Sequence, residues 1–489
     1  MSDTAETITW IGLAIAAVHL LVILAVAVRV LTRRRAPGST AAWLLLVVML
    51  PYAGVFLYLL IGERPLGRRR MRHVLTLRGP AEQWLGDLAE RAGKLPPGII
   101  DHWDGVRRLA DRVVGIGALP GNHLELLDDT GQILRAIADD IDSAGHFCLL
   151  EFYIWNPGGD ADMIAEALMR ASGRGVACRV LLDSVGSAEF FRSAWPKRLG
   201  KAGVEVTRAL PGGLLRGLFR RVDLRLHRKL VVVDGYVGYT GSLNLVDPRF
   251  FKEDAGVGQW VDAMTRVQGP AVEALAGLFA WDWALETDTP LDLIMHQVEV
   301  PLHTDEGRAV VQMVPSGPGY DGQGVIQLVL SAIYGAQQQL VLTTPYFVPS
   351  CSLVEALCSA AMRGVDVKLV VPAKVDSKMV HYASRAWFDD LLEAGVGILQ
   401  FDGGLLHTKS IVVDQELAFF GTLNLDIRSF QLNFELTLLV YDQEFAAMLS
   451  RLTDRYIDES EPLAEKTWAR RSRFQRMIEN LAQMMSPLL

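Results

Sequence analysis

The chain has 489 residues, which is enough for two or three domains with a large core. Half of its residues are hydrophobic, and its formal net charge at pH 7 is −8. This acidic balance argues against a general nucleic-acid-binding protein, because such proteins usually carry a basic excess. No nucleic-acid partner is therefore expected.

Two uncharged segments near the N-terminus, 8–28 and 41–61, hold much of the apolar excess. As a helix, the first would span roughly 30 Å, which is about the thickness of the hydrocarbon core of a bilayer. A cleaved signal peptide is the alternative for this segment, although acidic residues precede it and arginines follow it. Pro51 and Gly54 interrupt the second segment, which either spans the membrane or re-enters it. Residues 1–73 are therefore predicted to form a membrane anchor.

Clusters of arginine follow both hydrophobic segments. The clusters consist of Arg29, Arg33, Arg34 and Arg35 after the first segment and of Arg64, Arg68, Arg69, Arg70 and Arg72 after the second. Positive charge beside a membrane segment favours the cytoplasmic side. We therefore expect a multi-pass anchor with the large domain in the cytoplasm.

From about residue 121 the chain alternates apolar strands with helices. A helix-like stretch, 131–143, leads to the strand Phe147–Trp155, and a helix and a second strand follow. Residues 324–371 repeat this order. Such alternation is typical of βαβ units in a parallel or mixed sheet. The predicted fold class is α/β, with two similar lobes, 121–300 and 301–460, each a mixed sheet flanked by helices, in a pseudo-twofold arrangement.

Two further stretches lie outside these lobes. Residues 74–120 are predicted to be a soluble connector, because prolines break its helical pattern. Residues 461–489 carry apolar side chains at helical spacing with arginines around them, which is typical of an amphipathic helix. That helix could lie at a membrane interface or pack on the domain core.

One motif occurs twice, with an offset of 180 residues between His227 and His407. It reads His-x-Lys-x4-Asp and is followed by Gly-[Ser/Thr]-x-Asn. The first copy holds His227, Lys229, Asp234, Ser242 and Asn244, and the second holds His407, Lys409, Asp414, Thr422 and Asn424. Alternate side chains of a strand share a face, so each histidine should point the same way as its lysine. A single copy could be a buried core histidine, but two copies in register indicate a duplicated half-site.

Two histidines and two lysines brought together would form a cationic pocket suited to phosphoryl transfer. An imidazole can act as a nucleophile or transfer protons near neutral pH. The lysines, with Ser242, Asn244, Thr422 and Asn424, could neutralise and bind the phosphate oxygens without a metal ion or another cofactor. One histidine would then attack phosphorus while the other protonates the leaving alkoxide.

Acidic residues could support these groups. Asp234 and Asp414 belong to the catalytic motif, and their position near the strand ends favours turn or hydrogen-bonding supports over proton donors. A nucleophilic imidazole also needs a carboxylate on its other ring nitrogen. Glu435 is the candidate in the second half and Asp262 in the first, with Asp254 as the second choice there.

The doubled motif resembles that of the phospholipase D superfamily. Together with the two hydrophobic segments, the stretches 244–249 and 424–435 look like those of bacterial cardiolipin synthases, and the resemblance covers nearly the whole chain. It implies two lobes that share one site and a covalent phosphatidyl-histidine intermediate. It also implies that His227 is the nucleophile and His407 the acid and base, although the symmetry leaves either histidine able to attack.

The same resemblance implies a reaction and a location. Two phosphatidylglycerol molecules would be joined into cardiolipin with release of glycerol, at a bacterial cytoplasmic (inner) membrane, and the anchor would allow a homodimer. A membrane-anchored phospholipase D that hydrolyses phospholipids to phosphatidic acid would share every catalytic residue and is the main alternative. A nuclease of the superfamily and a non-enzymatic scaffold are further alternatives. The acidic charge and the predicted anchor count against the first, and the two intact motifs against the second.

Overall fold

A computed structural model describes residues 2–32, 37–58, 68–98, 101–211, 223–287, 289–297, 306–320 and 324–486. By its internal contacts the chain divides into two compact units. The small unit comprises residues 1–71 and 212–223, and the large unit comprises residues 72–211 and 224–489.

Helices make up the described part of the small unit, namely α1 (Ser2–Leu31), α2 (Pro37–Met49) and α3 (Pro51–Leu57). The break between α2 and α3 falls at Leu50, directly before Pro51. A proline inside a helix removes one backbone hydrogen bond and clashes with the preceding turn. A Cβ atom on Gly54 would lie 2.6 Å from the carbonyl oxygen of Leu46, so this close approach requires glycine. The interruption predicted at Pro51 is confirmed, whereas Gly54 lies inside α3.

Many large apolar side chains of the small unit are exposed. Val26 and Val30 of α1 are buried, whereas Leu20, Leu21 and Leu24 are 58–66% exposed. Within the described ranges, no helix combines the length and the apolar character that crossing a membrane requires. The side chains of residues 8, 9 and 11–16 of the first predicted segment, and residues 59–61 of the second, lie outside the described part of the chain. The membrane anchor stays a prediction.

The helices that follow are α4 (Arg68–Ala92), α5 (Asp104–Val114), α6 (Thr130–Ser143), α7 (Asp162–Gly173), α8 (Ala188–Arg192), α9 (Trp195–Ala202), α10 (Pro270–Thr287), α11 (Leu291–Gln297), α12 (Gly324–Gly335), α13 (Cys351–Met362), α14 (Lys378–Arg385), α15 (Phe388–Glu393), α16 (Ile427–Gln431), α17 (Gln443–Asp458), α18 (Glu465–Trp468) and α19 (Arg473–Met484). Within the described ranges, three short 3₁₀ helices add Asp101–Trp103, Gly159–Ala161 and Glu253–Ala255.

The strands are β1 (Leu119–Leu127), β2 (Phe147–Phe152), β3 (Ala177–Asp183), β4 (Glu205–Ala209), β5 (Arg225–Leu226), β6 (Lys229–Val233), β7 (Val237–Gly241), β8 (Trp260–Val261), β9 (Met264–Gln268), β10 (Ala309–Ser316), β11 (Gln339–Thr343), β12 (Asp366–Pro372), β13 (Gly397–Phe401), β14 (Leu405–Leu406), β15 (Ser410–Val413), β16 (Leu417–Gly421), β17 (Asn433–Tyr441) and β18 (Ser460–Pro462).

One strand order occurs twice in the large unit. The first half reads β1-β9-β7-β6-β2-β3-β4, and the second reads β10-β17-β16-β15-β11-β12-β13, with β18 added at its outer edge. In each half the last two pairings of this order are parallel and the others antiparallel. β1 pairs with β10 and joins the halves into one sheet. The predicted α/β fold with a repeated mixed sheet is confirmed.

Local sequence explains the helix–strand pairs of each half. The side chain of Asp129 caps α6 by accepting a hydrogen bond of 2.7 Å from the N–H of Gln132. Ile133, Ile137 and Ile141 then recur at helical spacing and are fully buried. Burying each of these side chains contributes roughly 2 kcal/mol to the stability of the core. The core therefore fixes the strands that carry the repeated motif.

The C-terminal stretch, 461–489, is not one continuous helix. Trp468 ends α18 and is buried in the second-half core, where its indole N–H donates to Asp389 at 2.7 Å. A new helix, α19, begins after Ser472, whose side chain accepts a hydrogen bond from the N–H of Gln475. The periodic apolar pattern therefore divides into a buried tryptophan and a separate amphipathic helix.

Candidate active site

Both motif histidines lie at a break between two short strands, not inside one strand as predicted. Before His227, β5 pairs with β17 of the second half, and after it β6 joins the first-half sheet. Before His407, β14 pairs with β8 of the first half, and after it β15 joins the second-half sheet. Each histidine therefore lies where the polypeptide leaves a strand paired with the other half and enters the sheet of the histidine's own half.

Main-chain hydrogen bonds hold the histidines at these crossings. The N–H of His227 donates to the carbonyl oxygen of Phe434 at 2.9 Å, and the N–H of His407 donates to that of Val261 at 2.8 Å. The partner strand in each case belongs to the other half. Because backbone bonds of this kind fix the position of Cα, the two imidazoles meet at the interface between the halves.

Each imidazole is paired with a carboxylate from the other half. Nδ1 of His227 lies 2.7 Å from Oε2 of Glu435, and Nδ1 of His407 lies 2.6 Å from Oδ1 of Asp262. The prediction that each carboxylate serves the histidine of its own half is wrong. Asp254, the second choice, lies in the exposed turn Glu253–Ala255. A carboxylate at Nδ1 orients the ring and leaves Nε2 as the nitrogen available for chemistry.

The two motif hydroxyls are directed at these carboxylates. The Ser242 hydroxyl donates to Asp262, and the Thr422 hydroxyl donates to Glu435, each at 2.6 Å. A hydroxyl has one proton to donate, and both side chains are fully buried. The hydroxyls thus contact the carboxylates, and their binding of phosphate stays a prediction. They position the carboxylate that in turn positions a histidine.

The lysines and asparagines keep polar atoms for a ligand. Nζ of Lys229 donates to the carbonyl oxygen of His227 at 2.7 Å, and Nζ of Lys409 makes the same contact with His407, which leaves each ammonium two further protons. Within the described part of the chain, the buried Nδ2 of Asn244 and Oδ1 of Asn424 have no hydrogen-bond partner. Leaving a buried polar atom unpaired costs about 1–3 kcal/mol. These atoms are therefore available to a polar group of a ligand.

Burial sets the protonation of the histidines. It lowers the pKa of His227 to about 4, against the opposing effect of Glu435 and with a smaller contribution from Lys229. Burial likewise lowers the pKa of His407 to about 3, with Asp262 opposing it and Lys409 adding to it. Both imidazoles are therefore neutral at pH 7 in this environment. A neutral imidazole has the free electron pair that a nucleophile needs.

The lysines are also strongly perturbed. Burial lowers the pKa of Lys229 to about 8, and it lowers the pKa of Lys409 well below the ordinary value. The carboxylates Glu435 and Asp262 oppose the shift in both cases. An anionic ligand beside the ammonium groups would favour their charged forms. A phosphate group bound beside the lysines would therefore raise the pKa of both ammonium groups.

The motif aspartates lie away from these groups. Asp234 accepts hydrogen bonds of 2.7–2.8 Å from the backbone N–H groups of residues 145–147. Asp414 does the same, at 2.7–2.8 Å, for residues 337–339. Each aspartate follows the strand, β6 or β15, that begins near its histidine, and these strands of five and four residues are roughly 13–17 Å long. Asp234 and Asp414 therefore lie where hydrogen-bonding supports were expected, and their place among the catalytic residues stays a prediction.

An aromatic ring that was not predicted from the sequence lies beside each histidine. The ring of Tyr153 lies 5.0 Å from that of His227, and the ring of Trp260 lies 4.3 Å from that of His407. Trp260 stands two residues before Asp262, and Tyr153 directly follows β2. An aromatic residue beside a motif carboxylate or at the carboxyl end of a buried strand is the signal that could have found them.

A polar cluster beside Trp260 was missed as well. Nζ of Lys252 lies 5.4 Å from the Trp260 ring and 2.9 Å from Asp376, a second-half carboxylate. The Tyr346 hydroxyl donates to the same carboxylate at 2.8 Å. Lys252 adopts a positive φ of 53°, which is uncommon outside glycine and asparagine. The cluster links the halves next to His407.

The residue inside His-x-Lys differs between the halves. Arg228 is fully buried, forms an ion pair with Asp282 on α10, and donates at 3.1 Å to the carbonyl oxygen of Glu435. The corresponding Thr408 hydroxyl lies 3.0 Å from that of Tyr456. Alternation predicts that this residue points away from the lysine, but not that an arginine there is buried and paired.

Comparison with known families places both halves in one family. The family model described as "Cardiolipin synthase, PLD-like domain" matches residues 137–283 and 329–457. A second model, described as "Phospholipase_D-nuclease N-terminal", matches residues 20–63. The two segments of the first match cover the two copies of the motif.

Similar proteins match almost the whole length of the chain in sequence. The chain is 46% identical over 475 residues to cardiolipin synthase A of Erwinia tasmaniensis, covering 96% of both chains. It is 45% identical over 469 residues to cardiolipin synthase A of Yersinia pseudotuberculosis, again with 96% of each chain covered. A crystal structure of phosphatidylserine synthase from Haemophilus influenzae covers 78% of this chain and 98% of its own, with a TM-score of 0.58 and 14% identity. That last likeness shows the shared fold.

Proposed function

Because this chain belongs to the cardiolipin synthases of the phospholipase D superfamily, we propose that it transfers a phosphatidyl group from one phosphatidylglycerol to the terminal hydroxyl of another. The products are cardiolipin and glycerol. The crossed pairing of His227 with Glu435 and of His407 with Asp262 carries the proposal. It supplies two oriented imidazoles at one interface, as a double displacement at phosphorus requires.

In the first step, Nε2 of His227 attacks phosphorus and the bond from phosphorus to the glycerol oxygen breaks. His407 gives its proton to the departing glycerol oxygen. We assign the attack to His227 and the proton transfers to His407, in the order that the resemblance of the motifs implies. Lys229, Lys409 and Asn244 would bind the non-bridging oxygens as charge develops on them.

In the second step, the terminal hydroxyl of another phosphatidylglycerol attacks the phosphatidyl-histidine. His407 takes the hydroxyl proton, the new phosphorus–oxygen bond forms, and the phosphorus–nitrogen bond to His227 breaks. His407 must therefore be protonated in the first step although burial lowers its pKa to about 3. The negative charge of the bound phosphodiester raises that pKa, because it favours the imidazolium.

A phospholipase D that gives phosphatidic acid would use the same residues with water as the acceptor. The low exposure of both histidines favours a lipid acceptor, since a buried site limits the access of water to the intermediate. The high identity to cardiolipin synthases over almost the whole chain supports the same choice. No cofactor is proposed.

A product assay tests this function. Purified chain in mixed micelles receives labelled phosphatidylglycerol, beside the variants His227→Ala and His407→Ala and the control His123→Ala, which changes an exposed histidine on β1. We expect cardiolipin and glycerol from the wild type and the control, and at least a 10³-fold loss in both motif variants. Phosphatidic acid as the main product would make the protein a hydrolase. Turnover that survives in both motif variants would contradict the mechanism.

We also propose that the small unit anchors the chain as a multi-pass protein in the bacterial cytoplasmic (inner) membrane, with the large unit on the cytoplasmic side. The exposed leucines of α1 and the arginines after both segments support this. The predicted homodimer would also form through this anchor. Extraction of native membranes at alkaline pH should leave the chain in the membrane fraction, and release into the supernatant would contradict the anchor.

A further inference from the structure

The last helix, α19, exposes a continuous apolar stripe. Phe474, Met477, Leu481 and Met484 are 65%, 50%, 55% and 76% exposed. They stand at positions i, i+3, i+7 and i+10, so they share one face of the helix. Large apolar side chains that adjoin one another on the surface mark an interaction site.

The opposite face of α19 is fastened to the second half. Glu479 is buried and forms ion pairs with Arg385 of α14 at 3.0 Å and with Arg471 at 2.9 Å. Ala482 is buried in a cluster with Val348 and Ala383. The apolar stripe is therefore held outward by a helix that cannot rotate without breaking buried ion pairs.

The charges around the stripe favour an anionic surface. Arg473 and Arg476 are exposed and line the same shallow groove as Met477, Leu481 and Met484. Glu479 is the one acidic residue in the sequence of α19, and it is buried in its ion pairs. A second copy of α19 would place arginines against arginines. An anionic lipid layer instead offers hydrocarbon to the stripe and phosphate to the arginines.

The helix is also connected to the active site. Val348, which packs with Ala482, donates its N–H to the carbonyl oxygen of Leu425 at 3.1 Å. Leu425 directly follows the motif residue Asn424. The other partner of α19, α14, begins two residues after Asp376 of the polar cluster beside His407. The buried face of α19 is therefore linked to the active site through Val348 and through α14.

We propose that α19 is a docking helix, which seats its apolar stripe and flanking arginines in an anionic lipid surface and presents the active site to lipid there. The inference deepens the proposed function, since a lipid substrate is what makes such seating useful. The docking itself requires no turnover. It can therefore be tested in a catalytically inactive chain.

Oxidation footprinting tests the docking directly. The full chain carrying His227→Ala is reconstituted into nanodiscs of phosphatidylglycerol and phosphatidylcholine or of phosphatidylcholine alone, and is exposed to a water-soluble oxidant. Mass spectrometry then follows Met477 and Met484, with Met362 of α13, which is 73% exposed, as the internal control. We expect Met477 and Met484 to oxidise at least tenfold more slowly than Met362 in the anionic nanodiscs. Oxidation of all three at one rate would overturn the proposal.

Charge variants separate the lipid from other partners. An exposed arginine near an anionic surface strengthens binding about fivefold, so Arg473→Gln with Arg476→Gln should weaken docking on the order of 25-fold and restore oxidation of Met484. Protection that is equal in neutral nanodiscs and rises with the number of chains per disc would instead identify a second copy as the occupant and overturn the proposal.

Activity supplies the second arm in the active chain. Met484→Glu should lower cardiolipin formation in anionic nanodiscs about tenfold, while monomeric short-chain phosphatidylglycerol is turned over as by the wild type; Met362→Glu is the matched control. Equal activity of Met484→Glu and Met362→Glu in nanodiscs would overturn the role of α19. If the proposed function itself failed, no chain would form cardiolipin, yet the footprint would still report docking.

Discussion

In the first half, Ser242 and Asp262 form a buried pair that contacts the histidine of the second half. Thr422 and Glu435 make the same contacts to the histidine of the first half, with one additional carbon in each side chain. The lysines match in the same way, since each donates to the carbonyl oxygen of the histidine two residues earlier. Toward the site, therefore, the halves are chemically almost the same.

Behind the site the halves diverge. The middle residue of His-x-Lys is the buried, ion-paired Arg228 in the first half and Thr408 in the second. The fifth residue of β2 is Glu151, whereas the fifth residue of β11 is Thr343, which shares a hydrogen bond of 2.6 Å with Ser410. Side chains that complete the half-site of the other half are chemically similar in the two halves. Side chains that contact only their own sheet differ.

The strongest way to break this comparison is to change one carboxylate at a time. We expect Glu435→Gln and Asp262→Asn each to lower cardiolipin formation on the order of 10³-fold, because each leaves one imidazole without an anionic partner. Both substitutions preserve volume and hydrogen-bonding shape. The measurement is the initial rate of cardiolipin formation in mixed micelles, with the folded fraction confirmed by circular dichroism.

A better leaving group then distinguishes the two carboxylates. Phosphatidyl-p-nitrophenol releases a stable anion and needs no proton in the first step. Asp262→Asn and His407→Ala should therefore recover the first-turnover release of nitrophenolate to within about tenfold of the wild type, whereas Glu435→Gln and His227→Ala should not. Recovery of Glu435→Gln together with His407→Ala would mean that the carboxylates act within their own halves. Recovery of Glu435→Gln together with His227→Ala would reverse the nucleophile.

The middle residues of the motif should differ in stability. Arg228→Met leaves Asp282 as an uncompensated buried charge, so it should lower the free energy of unfolding by about 3–5 kcal/mol. Thr408→Val removes one hydrogen bond and should cost about 1 kcal/mol. Urea unfolding followed by tryptophan fluorescence measures both. The double variant Arg228→Met with Asp282→Leu should regain part of the loss, and equal costs for the two single variants would remove this difference between the halves.

The last expected effect depends on pH and concerns Glu151. Within the described residues its carboxyl oxygens have no hydrogen-bond partner, and burial raises the pKa of Glu151 to about 7, with Arg228 opposing the shift. A carboxyl with a raised folded pKa gives its full stability below the unfolded pKa and loses it as pH rises through about 7. The loss amounts to about 3 kcal/mol at high pH.

Glu151→Gln removes that titration and preserves the shape of the side chain. Its melting temperature should be close to that of the wild type near pH 4.5 and clearly higher at pH 8.5. Thr343→Val in the second half is the matched control and should shift the melting temperature by the same amount at both values. A Glu151→Gln effect that is independent of pH would show that this carboxyl does not titrate on its own.

Much of this architecture is readable from the sequence, and the exceptions have physical causes. The offset of 180 residues identifies the histidines and lysines, and apolar periodicity identifies the strands and helices of each half. The crossed pairing is not readable, because spacing along the chain says nothing about which half a side chain faces. Trp468 stands at helical spacing with the apolar residues of α19, but it ends α18, is buried in the second-half core and donates a hydrogen bond to Asp389.

The short strands β5 and β14 each pair with the other half, so both half-sites of the active site depend on the same interface. Each imidazole is aligned by a backbone acceptor and a carboxylate that lie across the interface. An opening of about an ångström would misalign nucleophile and acid together, and misplacement of that size costs on the order of 100-fold in rate. If the interface opens to exchange lipids, the site therefore loses the activity of both histidines at once. Such an opening would expose the phosphatidyl-histidine to water, but it would also misalign His407, the base that could activate that water.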